Sequence, residues 1–478
     1  MLNLCNKGML ISDFKKLEKL LNPVKIYNLY NFTPISAFSM DSRSIKKGQA
    51  FIAVKGKHCD GHEFIKEAVK NGASCVISQK DKVFNCQVPF YVVDDTYESL
   101  KDICRFIREK KNPTVYAITG SVGKTTAKEM LAFLLREDFS VLKNYKTENN
   151  ILGVAKTLFS LQDEKVLILE LGTNNPGEIK ELSKAVRPDI GIITFIKPVH
   201  LAGLKNLKGI FEEKISMIAV NPKMKIVLNK DDACLSKFNS SKNVYWFGKG
   251  SNCHLYARFL KSNTEQSRFI IQDKLEFTLQ SGFEGFIYNA LAALLGASLL
   301  KIPLDKLVNK LCGFYDFPSQ RMQMQEKNGF LFLNDAYNSN PYAFCEALKL
   351  VKKFSFKKIA VVADMLELGE KSAYYHKRLA QPLKNAGFDC VLTYGEQCFH
   401  LKEALGKIGY KNAYHFSSHA AISDFINERI KKGSLIFLKG SRGMQLEKII
   451  ERLSMERDSH KYLRESASIT TPPSLDAR

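Results

Sequence analysis

A chain of 478 residues is long enough for about three domains at roughly 150 residues each. With 45% hydrophobic and 25% charged residues it has an ordinary globular composition, and no apolar run approaches the roughly 18 residues needed to cross a bilayer. The net charge of +22 admits nucleic acid, a membrane surface or polyanionic small substrates as partners. The lysines, however, are spread in pairs such as Lys15-Lys16, Lys46-Lys47 and Lys357-Lys358, so a solvated basic surface that also attracts anionic substrates is the plainer reading.

The opening "MLNLCNKGMLISDFKKLEKLL" becomes charged too soon for a secretory signal, so a cytoplasmic protein is expected, with Met9 an alternative start. Residues 1–111 hold short strand-like runs ("AFIAVKG", "SCVIS", "FYVVDD") and a helical segment around Glu63 to Asn71. Lys110-Lys111-Asn112-Pro113 reads as a linker. Over 112–318 the apolar runs "VYAIT", "KVLILEL", "DIGIITFI" and "KIVLN" alternate with helical stretches. That alternation predicts a mostly parallel sheet covered by helices on both faces. Near-continuous apolar strands agree, because central parallel strands are buried on both sides. Residues 319–457 repeat the theme with "FLFLNDAYN", "KIAVVADM", "CVLTYG" and "SLIFLKGSRG", each strand closing on a polar or glycine-rich turn. Ligands of such sheets gather beyond the carboxyl ends of the strands. The tail 458–478 is polar with a Pro-Pro pair and is expected to be disordered. The fold expected is therefore α/β in three domains: a small N-terminal α/β domain, a central P-loop-type domain with a mostly parallel sheet, and a C-terminal Rossmann-like domain. Eleven scattered cysteines without a C-x-x-C pair read as reduced, partly buried small hydrophobes.

The stretch "VYAITGSVGKTTAKEM" is a strand, a glycine turn and a helix start, spaced T-G-x-x-G-K-T. It is shorter than the full G-x-x-x-x-G-K-[ST] pattern, whose first glycine would stand where Ile118 is. Backbone N–H groups of Gly120, Ser121, Val122 and Gly123, and the positive end of the helix dipole, suit phosphate. Lys124 would reach the terminal phosphates, and the hydroxyl of Thr125, followed by Thr126, could ligate Mg²⁺. The plain alternative is a glycine-rich turn without a ligand, against which Lys-Thr-Thr speaks. Glu170 closes the next apolar strand, where it could complete a Mg²⁺ site with Thr125 or merely solvate a strand end. His200 alone is more often structural than a ligand, and Lys214 alone reads as a surface cation.

Taken together, "SMDSRSIKKGQAFIAVKGKHCDGHEF", "ITGSVGKTT", "TENNILGV", "LELGTNNPGEI", the His200 segment, "NDAYNSNP", "ADMLELG" and "LKGSRG" resemble, in order and spacing, the Mur ligases. These are ATP-dependent enzymes that add amino acids to the peptide stem of the peptidoglycan precursor. The resemblance covers Met9 to about Arg457, and "DAYNSNP" followed by "DMLELG" is similar to the branch that adds a dipeptide. It implies UDP-N-acetylmuramoyl-tripeptide, D-alanyl-D-alanine and ATP as substrates, two Mg²⁺ ions, no nucleic acid, no membrane insertion, and a bacterial monomer. It further implies that Ser42 and Arg43 contact the uridine of the UDP-sugar bound by 1–111. Gly120 to Thr126 would cradle ATP in 112–318, with Asn289 at the adenine, and Arg321 and Asp335 would contact its phosphate and ribose from 319–457. Asn149, Asn150, Tyr337, Asn338 and Asn340 would touch the other substrates. Thr125 and Glu170 would hold one Mg²⁺ and His200 help hold a second. Lys214 aligns with the lysine that the family carbamylates, which turns a repelling ammonium into an oxygen anion on a long arm. Lys124, Lys214 and His200 are the implied catalytic set.

The sequence departs from the family pattern in places. Gly285-Phe286 replace a His-Asn pair, Gln320 replaces the glycine before Arg321, Ser216 an acidic residue after the lysine, and Lys197-Pro198-Val199 small residues before the histidine. The implied chemistry is attack of the stem carboxylate on the γ-phosphate, followed by the amine on the acyl phosphate, with the third domain closing over ATP. A sibling ligase using another amine, a nucleic-acid-dependent ATPase and a binding-only homologue are the alternatives.

Overall fold

The computed structural model describes residues 10–56, 59–79, 87–239 and 243–453. The expected tail at 458–478 and the alternative start at Met9 lie outside the described residues. The chain divides into two compact units. The first comprises Met1–Phe195, Phe211–Tyr256 and Asn289–Leu307; the second Ile196–Ile210, Ala257–Tyr288 and Val308–Arg478.

In the first unit, five short strands form a sheet in the spatial order Lys25–Tyr27, Phe90–Val92, Cys75–Ser78, Gln49–Ile52, Ala37–Ser39. Only the first of these is antiparallel to its neighbour. Phe51, Ile65, Val76 and Phe90 pack one face into a core. The helix Thr96–Lys111 follows, started by Asp95, whose carboxylate accepts the N–H groups of Tyr97 and Glu98. It stops at Asn112, which turns left-handed at φ 47° before Pro113. The expected linker at Lys110 to Pro113 is thus corrected. The two lysines are the last turn of a helix, where cations favour the dipole's negative end. An Asn-Pro pair signals a helix stop as readily as a loop. Arg108, on this helix, is buried and reaches Asp189 at 2.8 Å and the carbonyl of Val186.

Six strands of the nine-stranded sheet run parallel in the order Val141–Lys143, Val166–Glu170, Thr114–Thr119, Ile190–Ile193, Lys225–Asn229, Val244–Gly248. The strands Val166–Glu170 and Ile190–Ile193 are buried at every position, as a sheet covered on both faces requires.

The second unit contains a six-stranded sheet ordered Gln323–Lys327, Phe330–Asp335, Leu435–Lys439, Lys358–Ala363, Cys390–Tyr394, Ala413–Phe416. All pairs but the first are parallel. Phe332, Val361, Leu392, Ile436 and Leu446 form its core. The unit also holds an antiparallel run of strands through Ser267–Ile271 and Leu275–Leu279. That run lies where an all-alternating pattern was expected. The three-sheet α/β architecture is otherwise that expected.

Candidate active site

The strand Thr114–Thr119 ends in a turn that only glycine permits at two points. Gly120 has φ 147°, and a Cβ there would strike the Thr194 hydroxyl; Gly123 has φ 85°, and a Cβ there would strike the Asn289 amide. Asn289, expected at the adenine, donates to the Gly123 carbonyl at 2.7 Å and is buried. Thr194 donates to the Val122 carbonyl at 2.6 Å, and the Ser121 N–H donates to Phe195. The helix Lys124–Leu135 then opens from Gly123 without a side-chain cap, so its first-turn amides face the loop. Lys124 folds back, its Nζ donating to the Gly120 carbonyl at 2.9 Å.

At the second residue of that helix, Thr125 donates to Glu170 Oε2 at 2.7 Å, and both are buried. Asn149 donates to the other oxygen, Oε1, at 2.9 Å. A hydroxyl and a carboxylate in contact are hard oxygen donors of the kind Mg²⁺ takes alongside phosphate oxygens, so these residues fit the implied ion. Asn150 accepts the Gly153 N–H and caps the helix Ile151–Phe159. It is Asn149, not Asn150, that turns toward the carboxylate.

Lys214 lies on the helix Leu207–Ile215 and is only 1% exposed. Burial, with the charge of Lys124 nearby, pushes its amine down to about 7. A surface cation it is not. The preceding Glu213 is also buried; its carboxylate accepts from the N–H groups of Gly177 and Ile179 and from the Thr173 hydroxyl. It thereby ties the Lys214 helix to the start of the helix Glu178–Val186.

Ser42 and Arg43 border a cavity of about 820 Å³, with Phe38, Phe64, Lys156 and Phe159. Ser42 donates to Glu67 at 2.6 Å, while Arg43 grips Asp41 through two bonds of 2.9 Å.

In the second unit the guanidinium of Arg321 lies over the Tyr337 ring, 4.5 Å from its centre. Asp335 pairs with Lys439 at 2.6 Å, and Lys439 also donates to the carbonyl of Asn338 at 2.8 Å. Burial raises the Asp335 carboxyl, and Lys439 opposes that rise. Asn340 caps the helix Pro341–Val351. Gln320 sits left-handed at φ 57°, the conformation that favours the glycine it replaces, and accepts from Arg442 at 2.8 Å. At Gly285-Phe286 the polar pair gives way to an aromatic cluster, with Phe286 stacked on Phe317 at 4.9 Å. His200 lies beyond the strand Ile190–Ile193, in a left-handed conformation at φ 52°, with Glu367 Oε2 2.5 Å from its Nδ1.

Asp364, His376 and Cys398 are buried close together, but both ring nitrogens of the histidine are engaged by the backbone. His376 Nε2 accepts the Met365 N–H while Nδ1 faces the Ser372 carbonyl at 2.8 Å. Asp364 accepts the N–H groups of Gln397 and Cys398. No lone pair of the histidine is left for a metal. Sequence reasoning assigned no role to Lys128, Asn144, Glu213, Glu367 or Lys439, although Lys128, Glu367 and Lys439 lie within "GKTTAKEM", "ADMLELG" and "LKGSRG". Asn144 and Glu213 stand outside the motifs, and only their burial in the folded chain marks them.

Comparison with known proteins matches three family patterns in succession: "Mur ligase family, catalytic domain" over 34–135, "Mur ligase middle domain" over 118–297, and "Mur ligase, glutamate ligase domain" over 320–442. The UDP-N-acetylmuramoyl-tripeptide–D-alanyl-D-alanine ligase of Buchnera aphidicola from Acyrthosiphon pisum is 31% identical over 438 residues, covering 88% of this chain and 94% of its own. A crystal structure of MurF from Acinetobacter baumannii superposes with a TM-score of 0.84 at 25% identity, covering 94% of this chain and 100% of that one. MurF from Thermotoga maritima, solved in complex with ADP, gives a TM-score of 0.77 at 28% identity, covering 89% and 98%.

Proposed function

This chain belongs to the Mur ligase family, and from that premise we propose that it joins D-alanyl-D-alanine to UDP-N-acetylmuramoyl-tripeptide with ATP, completing the precursor peptide in the bacterial cytoplasm as a monomer. The observation that carries the reading is the first unit's phosphate turn. It sets Lys124 beside the buried Thr125–Glu170 pair, and the nearby amine of Lys214 is pushed down to about 7.

An amide cannot form from a carboxylate while oxide is the leaving group. A stem-peptide carboxylate oxygen attacks the γ-phosphorus, ADP departs, and an acyl phosphate results. The amine of the dipeptide then attacks the acyl carbon and loses a proton, and inorganic phosphate leaves with the former carboxylate oxygen. Such transfer depends on positioning and charge neutralisation rather than on a nucleophilic side chain. Gly120 to Thr126 bind the nucleotide tail, and Lys124 swings from the Gly120 carbonyl to the outer phosphates. Thr125 and Glu170 would hold one Mg²⁺, His200 would help hold a second, and Lys214, if carbamylated, would offer it an oxygen anion; such ions would neutralise charge on the transferring group. Burial pushes the Lys214 amine toward its neutral form, the form that captures CO₂. Ser42 and Arg43, with the cavity they border, take the UDP end. Asn289 would read the adenine, while Arg321, Asp335, Tyr337, Asn338 and Asn340 would serve nucleotide and dipeptide. Three domains divide this work at 1–111, 112–318 and 319–457.

Mass spectrometry of the product made from UDP-tripeptide, ATP and a panel of amines tests the reading. A pentapeptide product only with D-alanyl-D-alanine is expected. Amide formation with a single amino acid instead would make it a sibling ligase, and phosphate release without amide would overturn the assignment.

A further inference from the structure

Lys128 is 0% exposed, on the phosphate-loop helix one turn beyond Lys124, and nothing in the reaction requires it. A buried ammonium is costly unless its protons are shared out. Lys128 donates to the Asn144 carbonyl at 2.8 Å and to the Lys146 carbonyl, and lies 3.3 Å from Glu129 Oε1. Both carbonyls belong to the irregular stretch between the strand Val141–Lys143 and the helix Ile151–Phe159. In that stretch Lys146 is held left-handed at φ 45°.

This stretch grips Glu170 on three sides. Asn144, itself 0% exposed, exchanges two bonds with the Glu170 backbone, accepting its N–H at 2.9 Å and donating to its carbonyl at 3.1 Å. Its amide also donates to the Glu148 carbonyl at 2.9 Å, closing the loop on itself. Asn149 then donates to Glu170 Oε1, and its own carbonyl accepts the Gly172 N–H at 2.9 Å. Gly172 has no room for a Cβ against the Asn149 side chain. With backbone and one oxygen fixed, Oε2 is left facing the Thr125 hydroxyl.

We propose that Lys128 is a positioning residue for the metal carboxylate: by tethering the Asn144 and Lys146 carbonyls it sets Asn149, and through Asn149 the orientation of Glu170. The proposal rests on the nucleotide and Mg²⁺ reading above. An apolar side chain of the same length would fill the space but leave the buried Asn144 carbonyl and the part-buried Lys146 carbonyl without this donor. Partners of this outer kind tune metal affinity by about 10- to 100-fold.

Calorimetric titration of ADP at a series of Mg²⁺ concentrations, with thermal melts alongside, tests it on wild type, Lys128→Met and Asn149→Ala. Both variants should need about 10- to 100-fold more Mg²⁺ for half-maximal ADP binding, with ADP affinity in the absence of Mg²⁺ unchanged. A wild-type Mg²⁺ requirement in Lys128→Met, even with a lowered melting point, makes the lysine purely structural and overturns the proposal. Asn149→Ala decides the matter if the lysine variant does not fold, and an unshifted requirement there overturns the relay. Failure of wild type to bind ADP in a Mg²⁺-dependent way would instead strike the nucleotide reading itself.

Discussion

Burial makes Lys214 a different reagent from the other lysines of this basic chain. Its amine is depressed to about 7 because desolvation and the charge of Lys124 both act against the ammonium, with only Glu213 acting for it. In the proposed role it becomes a carboxylated arm that offers oxygen to a cation. Replacing it with alanine should lower turnover by on the order of 10²–10³, the scale of losing one preorganised charge stabiliser. Short carboxylates such as acetate should restore part of it by occupying the vacated anion position. An initial-rate assay with and without acetate checks this, and full activity in the alanine variant would remove Lys214 from the chemistry. Sequence pattern alone read this residue as a surface cation, because burial is a property of the folded neighbourhood and leaves no mark on four residues either side. Resemblance singled it out, and desolvation supplies the physical reason.

Elements show a second division between what patterning reveals and what it hides. The parallel strands were legible because burial on both faces demands uninterrupted apolar runs such as Val166–Glu170 and Lys358–Ala363. Leu275–Leu279, half-buried in alternation, was absorbed into the helix–strand rhythm around it and missed. The loop after Lys358–Ala363 was legible as a motif but not as a device. Its base is held by His376 through the Met365 N–H and by Ser441 through the Leu366 N–H. Burial lowers the His376 imidazole, so below about pH 6.5 the unfolded chain takes up a proton that the native loop resists. Stability should therefore fall as pH drops from 6.5. Wild type should lose ground against His376→Gln over that range in thermal melts, and a constant difference between the two would contradict the neutral buried histidine. At the carboxyl ends of two adjacent strands, Asp335 and Lys439 form a buried pair. Lys439→Met should cost about 3–5 kcal/mol by leaving the carboxylate without its cation. Adding Asp335→Asn should recover part of that loss in denaturant titrations. Equal instability of single and double variants would mean the lysine matters only through the backbone carbonyls of Asp335 and Asn338.

For the whole molecule the charge of +22 acts beyond any single contact. Every proposed substrate except the dipeptide is a polyanion, since ATP and a UDP-linked peptide each carry a diphosphate or longer. A basic surface raises the local concentration and encounter rate of such ligands by about 10- to 10³-fold at low salt. Salt removes that advantage as the screening length shrinks from about 10 Å at 0.1 M to about 3 Å at 1 M. The KM for ATP and for the UDP-tripeptide should therefore climb with potassium chloride, while the KM for zwitterionic D-alanyl-D-alanine stays nearly flat. Steady-state assays varying one substrate at a time separate the three. A KM for the dipeptide that rises in step with the others would trace the salt effect to the protein's conformation rather than to attraction of anions. Stimulation of ATP hydrolysis by DNA or RNA without amide product would assign the charge to nucleic acid instead.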